Sequence, residues 1–229
     1  NIVNPQTIYV RIYSPTAQAC PSTTLFQLIV NPKPVANIPS AYHICDNNNA
    51  GVQTFDLTGV VTPQILGTTL PAADYTVSYY TSLANAQAGT PSINPASAFV
   101  TATTTVWIRV ENNLTGCFDI LSVSLVVDLL PQLPVLQYFP KYELCETVAP
   151  LCIETFDLTS QIPSILQGQI GMQVTFYPTL LDANNNTNAI INPSAYDNAA
   201  PCVQTLGVKI TNTTTGCFVI STMDLVVNP

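Results

Sequence analysis

Cysteines are the residues whose type and spacing could do chemistry in this chain. Seven are present, and four keep a fixed period: Cys45 to Cys145 and Cys117 to Cys217 are each 100 positions apart (145 − 45, 217 − 117). Cys152 and Cys202 have no counterpart 100 positions earlier, and Cys20 stands near the start. No Cys-x-x-Cys pair suggests a zinc site. Buried free thiols of a cytosolic protein are one reading. Periodic placement favours disulfides and an extracytoplasmic compartment.

The period allows two pairing schemes. Cys45 pairs with Cys117 and Cys145 with Cys217 inside repeats, or Cys20 with Cys45 and Cys117 with Cys145 across linkers. Cys117 opens a strand of about ten residues, roughly 30 Å at ~3.3 Å per residue. A disulfide needs Cα atoms within about 7 Å. In a sandwich the first and last strands lie side by side and parallel, so the pairs within repeats are the expectation. Cys20 is then left without a partner. Cys152 and Cys202 open two strands running the same way and are expected to pair.

Other candidate residues are fewer. Asp46-x-Asn48-x-Ala50-Gly51 resembles a calcium loop that has lost a ligand at Ala50 and the closing Glu; a polar turn is the competing reading. Asp46 and Asn48 are the candidate metal ligands, and calcium is the one cofactor considered. His43, the single histidine, lies in a short strand without a nucleophile motif, and its counterpart is Glu143, so catalysis is not expected. Asp56 and Asp157 recur in Phe-Asp-Leu-Thr and read as structural caps. Trp107 and Arg109 alternate with inward Val106, Ile108 and Val110. They are candidates for stacking on a sugar, against a cross-strand pair with Tyr79 or a neighbour; Gly207 breaks the pattern in the next copy. Asn113-Leu114-Thr115, Asn185-Asn186-Thr187 and Asn212-Thr213-Thr214 match a glycosylation triplet that arises by chance in a chain rich in Asn and Thr.

The elements that position these residues form a repeat array. Thr104–Val110, a turn through Gly116-Cys117-Phe118 and a run to Val127 read as a hairpin. It returns at Gln204–Ile210 with Gly216-Cys217-Phe218, and more loosely at Gln6–Ile12 with a Pro-containing loop and Cys20. Tyr42–Cys45 matches Tyr142–Cys145, and Thr54–Thr58 matches Thr155–Thr159. Tyr75–Tyr80 reads as a strand, and Ala84–Asn94 as a loop with one short edge strand. About 100 residues with some seven short strands is the size of an immunoglobulin-like sandwich. The expected fold is all-β: tandem Ig-like domains of about 100 residues joined by short Pro-containing linkers. Residues 1–33 are expected to be the end of a truncated repeat, and 34–130 and 131–229 two complete ones. The chain is expected to be a piece of something longer, with targeting signals outside it.

Composition narrows the function. Net charge is −8 and only 8% of the 229 residues are charged, against about 25% in average soluble domains. Five basic residues leave no stripe for phosphates or anionic lipid, which argues against nucleic acid and membrane-surface partners. No apolar run reaches the roughly 18 residues of a membrane span.

The runs Cys45-Asp46-x-Asn48 to Phe55-Asp56-Leu57-Thr58, Tyr75 to Thr90 and Val106-Trp107-Ile108-Arg109-Val110-Glu111-Asn112 to Cys117-Phe118 resemble the repeats of SprB-type surface adhesins. These adhesins belong to gliding Bacteroidota and are exported by the type IX secretion system. The resemblance is close over residues 45–127. The second repeat departs from it by losing the Asp-x-Asn loop and gaining Cys152 and Cys202. The resemblance implies an extracellular filament on the cell surface that serves attachment or gliding. Its partners would be neighbouring repeats, surface polysaccharide or outer-membrane motility and secretion machinery. The expected function is a structural stalk, not an enzyme. The alternatives are a glycan-binding repeat or accessory repeats of a secreted enzyme. Disulfides tying the first strand of each repeat to its last would also shield the fold from tension.

Overall fold

A computed structural model of the protein describes residues 4–14, 17–134, 138–148 and 150–229; the side chains of residues 14–20, Cys20 among them, lie outside the described set. It is all-β with short helices, the architecture expected of tandem Ig-like repeats. The opening hairpin is β1 (Gln6–Ser14) and β2 (Ala17–Leu28), paired antiparallel with Gln6 opposite Leu28.

The first full repeat contains β3 (Tyr42–Cys45), β4 (Gln53–Phe55), α1 (Thr62–Leu66), β5 (Tyr75–Tyr80), α2 (Leu83–Ala88), β6 (Phe99–Thr101), β7 (Thr104–Asn112) and β8 (Phe118–Asp128). Its larger sheet has the order β3-β8-β7-β5, and β4 and β6 form a two-stranded sheet. The second repeat repeats that plan with β9 (Tyr142–Cys145), β10 (Thr155–Phe156), α3 (Ile162–Leu166), β11 (Met172–Tyr177), α4 (Leu180–Asn185), β12 (Tyr196–Asp197), β13 (Val203–Asn212) and β14 (Phe218–Asn228). Its sheets are β11-β13-β14-β9 and β10-β12.

Alternation along the strands sets what faces the core, because successive side chains point to opposite faces. Val106, Ile108 and Val110 are fully buried, as are Leu206, Val208 and Ile210. Helical turns cover the open side with Leu57, Val61 and Ile65 in the first repeat and Leu158 and Ile165 in the second. Tyr42 meets Phe55 edge-on at 5.1 Å, and Tyr142 meets Phe156 in the same way at 5.1 Å.

The Phe-Asp-Leu-Thr aspartates are caps. Asp56 accepts from the Gly59 amide at 2.8 Å and from Thr58 Oγ1 at 2.8 Å, opening a π-helical turn over Leu57–Val61 that runs into α1. Those two donors, the Gly59 amide first, hold its carboxyl below the usual 3.8. Asp157 accepts from the Thr159 amide at 3.0 Å in the corresponding place.

One expectation is corrected. The stretch read as a loop with an edge strand, Ala84–Asn94, begins inside a helix, α2. Ser82 Oγ accepts from the Asn85 amide, alanine-rich sequence favours the helix, and Gly89 closes it at φ 76°. Too few residues separate cap from stop for a helical period to show.

The chain divides into two compact units. One comprises Asn1–Tyr42, Phe55–Phe99 and Thr104–Leu125; the other comprises His43–Thr54, Val100–Thr103 and Val126–Pro229. The division does not follow the repeats: the segment bearing Cys45 and the Asp46 turn belongs to the unit that holds the second repeat.

Candidate functional site: a disulfide junction

Within that second unit, Cys45 is bonded to Cys217, with Cα atoms 5.6 Å apart and 172 positions between them. The bond joins the first strand of one repeat to the last hairpin of the next. It replaces both expected pairs, Cys45–Cys117 and Cys145–Cys217, and also the cross-linker scheme; Cys117 and Cys145 are free thiols.

The strand register gives the reason. β14 and β9 are neighbours and parallel, as expected, but Cys145 lies opposite Asn228, the last residue of β14. Cys217 precedes the first residue of that 11-residue strand. The two cysteines are therefore about 35 Å apart at ~3.3 Å per residue. In the first repeat the Asp46 amide donates to the Asp128 carbonyl at 2.8 Å. Cys45 thus sits at the far end of β8 from Cys117, which precedes the 11-residue strand. Side-by-side strands with paired ends in this sense put the cysteines of one repeat at opposite poles.

Each half of the junction is built locally. Cys217 closes a turn in which Asn212 Oδ1 accepts from the Thr214 and Thr215 amides at 2.9 and 3.1 Å. The Asn212 amide donates to the Cys217 carbonyl at 2.8 Å, and the Gly216 amide to the Asn212 carbonyl at 2.9 Å. Gly216 has φ 76°, a conformation that a Cβ disfavours. Cys217 is fully buried and Cys45 half-buried. Phe218 opens the following strand, and Lys209 Nζ of β13 stands 4.1 Å over its ring; Arg109 stands 3.4 Å over Phe118 in the other repeat.

The Asp46 loop is the second part of the junction. Asp46 is buried, and its carboxylate accepts from the Ala50 amide (3.1 Å), the Gly51 amide (2.9 Å) and Gln53 Nε2 (3.2 Å). Asn48 Oδ1 accepts from the Ala50 amide and Gln53 Nε2. The oxygens considered for calcium are thus turned onto the loop's own donors, the arrangement of a closed polar turn. Asn49, at its tip, lines a shallow groove with the Leu130–Pro134 linker and Val219.

Cys152 and Cys202 are bonded to each other, Cα atoms 4.6 Å apart. Two residues that sequence reasoning did not single out hold this corner. Buried Asn198 accepts from the Glu154 amide at 2.8 Å and donates to the Cys152 and Ala200 carbonyls. Buried Gln204 accepts from the Ala199 amide and donates to the Pro178 carbonyl. Their surroundings come from chain folding, and an Asn or Gln in an amide-rich sequence carries no signal of that.

The remaining candidates are occupied. Trp107 is half-buried and lies opposite Tyr80 across the sheet. Arg109 donates to Glu111 from Nε at 2.8 Å and to the Ala86 and Gln87 carbonyls from Nη1 at 3.2 and 3.1 Å. It fastens the end of α2 onto β7, and its guanidinium lies over the Phe118 ring. His43 Nδ1 lies 2.9 Å from Asp128 Oδ2. From the glycosylation triplets, Asn113 accepts from Thr76 Oγ1 and donates to the Ala73 carbonyl, and Asn212 accepts from the Thr214 amide within its own turn.

Among the described residues no three His, Cys, Asp or Glu side chains are placed to hold a metal ion, and no helix is long and apolar enough to cross a membrane.

The family described as the Flavobacterium inter-domain disulphide bond domain matches residues 41–131 and 141–229. No curated protein matches the chain. Among solved structures, the titin I67–I69 segment is 12% identical with a TM-score of 0.32, over 84% of this chain and 65% of that one. Titin Z1Z2 is 11% identical with a TM-score of 0.24, over 87% and 98%. The sialic acid binding region of a Streptococcus sanguinis adhesin is 16% identical with a TM-score of 0.30, over 98% and 56%.

Proposed function

Because the chain belongs to the Flavobacterium inter-domain disulphide bond domain family, we propose that it is a structural segment of a secreted surface protein. Its repeats are stapled to one another and hold a distal binding region away from the cell. The observation that carries this reading is the Cys45–Cys217 bond, which ties successive repeats and encloses the linker between them. A freely hinged linker has no need of it. The bond also calls for an oxidising, extracytoplasmic location, consistent with a cell-surface stalk of the SprB type exported by the type IX system. Residues 1–33 fit the same plan as the last hairpin of a further repeat. Tyr9, Leu25 and Phe26 of that hairpin are exposed, on a sheet whose full-length counterparts have two more strands.

The internal engagement of Arg109 and the closed Asp46 turn support a stalk over a glycan-binding module. A glycan array probed with the isolated chain tests this. No binding is expected; saturable micromolar binding abolished by Trp107→Ala would overturn the stalk reading.

A further inference from the structure

The opening hairpin has the same register as the hairpins of both full repeats. Ile8 lies opposite Phe26, as Val106 lies opposite Val123 and Leu206 opposite Met223. Along the same faces Val10 corresponds to Ile108 and Val208, Ile12 to Val110 and Ile210, and Leu28 to Leu125 and Leu225. In the full repeats each of these inward residues is at most 2% exposed, whereas Ile12 is 60% exposed and Phe26 and Leu28 are each 48% exposed. The edges differ as well. β7 and β13 each carry a strand on the outer side, β5 and β11, and β8 and β14 each carry a short one, β3 and β9. Among the described residues β1 and β2 pair with each other and with no further strand. A lone two-stranded hairpin is marginally stable, and open edges beside an apolar face mark a surface that takes a partner. Arg11 repeats the theme on the other face. Its counterpart Arg109 donates to the Ala86 and Gln87 carbonyls at the end of α2, whereas Arg11 lies 5.0 Å over the Tyr13 ring of its own strand.

We propose that the β1–β2 hairpin is an acceptor surface for the front half of a repeat of this same family. The occupant is a segment with a Tyr-x-x-Cys strand, a Phe-Asp-Leu-Thr turn and an aromatic-ended strand. Its source is the stretch of chain joined directly ahead of β1, because each full repeat sets its front half directly ahead of its hairpin: β6 ends at Thr101 and β7 begins at Thr104. The register follows from β5 on β7, where Val77 faces Val110 and Tyr79 faces Ile108. The aromatic-ended strand therefore runs antiparallel along β1, with those two counterparts opposite Ile12 and Val10. The Tyr-x-x-Cys strand runs parallel along β2, as β9 does along β14. The Phe and Leu of the turn cover Ile8, Val10, Phe26 and Leu28. Arg11 takes the carbonyls at the end of the occupant's helix. This rests on the reading of residues 1–33 as the last hairpin of a further repeat, and adds to it the partner's chemistry and register.

The chain itself supplies the probe. Gln6 corresponds to Thr104, so residues 34–103, with Cys45→Ser in that added copy, can be joined directly ahead of Gln6. Amide hydrogen exchange in β1 and β2 should then slow by on the order of 100-fold or more, with β7 and β8 unchanged. Arg11→Ala should lower the unfolding midpoint of the extended chain and leave that of the original chain where it was. A second extended chain carries residues 131–203 with Cys145→Ser in place of 34–103, in case one front half fails to fold ahead of a foreign hairpin. The proposal is overturned if β1 and β2 exchange as fast in both extended chains as in the original. It is overturned equally if light scattering finds the original chain dimeric with β1 and β2 already protected, which makes a second copy the occupant. Either failure leaves the stalk reading standing, since that depends on Cys45–Cys217 and on the absence of glycan binding.

Discussion

Tyr79 shows how much one polar atom contributes to a repeat. The residue is almost fully buried, its hydroxyl donates to the Leu57 carbonyl at 2.8 Å, and Thr62 Oγ1 lies 2.7 Å away. It thereby pins the helical turn to the sheet. Tyr79→Phe should cost about 1–2 kcal/mol in urea unfolding, because the buried Leu57 carbonyl and the half-buried Thr62 hydroxyl each lose a partner. Burial also pushes the Tyr79 hydroxyl up to about 12. A raised value favours the neutral form in the folded state. That stability is present below pH 10 and is lost as pH rises from about 10 to 12. The aspartates act in the opposite sense. Asp56 and Asp182 are held below 3.8, Asp56 by the Gly59 amide and Asp182 by the Thr179 hydroxyl. Their contribution is present above that value and is lost as pH falls through the lowered folded-state values. Unfolding midpoints measured from pH 7 to pH 2 should drop below about pH 4, and Asp56→Asn with Asp182→Asn should flatten the drop.

At the level of elements, the two repeats differ where helix meets sheet. In the second repeat α4 lies directly on β13, and a Cβ at Gly207 would come 2.6 Å from both the Ala183 Cβ and the Thr179 carbonyl oxygen. The first repeat has Trp107 at that place and docks α2 through Arg109 instead. Gly207→Ala should therefore destabilise the second repeat by about 1–3 kcal/mol, the usual cost of overpacking, as read by chemical denaturation. An unchanged midpoint would mean that α4 can move away freely. This also explains why Gly207 breaks the Trp-x-Arg pattern: the position serves helix packing in one repeat and a half-exposed aromatic in the other.

For the whole molecule, the corrected disulfide redraws the path of tension. With force applied at the two ends, Cys45–Cys217 removes the 172-position loop between them from the load. The expected bonds within repeats would each have shielded only some 70 residues. In the loop-entropy model a closure of this length stabilises by about 5 kcal/mol, the upper end of what disulfides contribute. Single-molecule pulling of the oxidised chain should show no long unfolding steps. Full reduction should release on the order of 570 Å at ~3.3 Å per residue for the 172 positions. Cys45→Ser, which keeps the 50-position loop of Cys152–Cys202, should release about 400 Å, from 172 − 50 positions. Full-length steps in the oxidised chain would show that the bond does not carry the load.

The sequence by itself determined the repeat plan, the all-β class, the inward faces of the hairpin strands and the capping aspartates. These depend on local spacing: period-two burial, a cap three residues from its amide, a glycine at a positive-φ turn. It also determined which cysteines are equivalent, because a 100-residue period is visible in one dimension. Only the tertiary structure decided which of them meet. A parallel neighbour can be set against either end of a long strand, and the sequence does not record which. Here β9 lies against the last four residues of β14, which sends Cys145 to one pole and Cys217 to the other. The bond then closes between repeats, over a distance in sequence that no local pattern can encode.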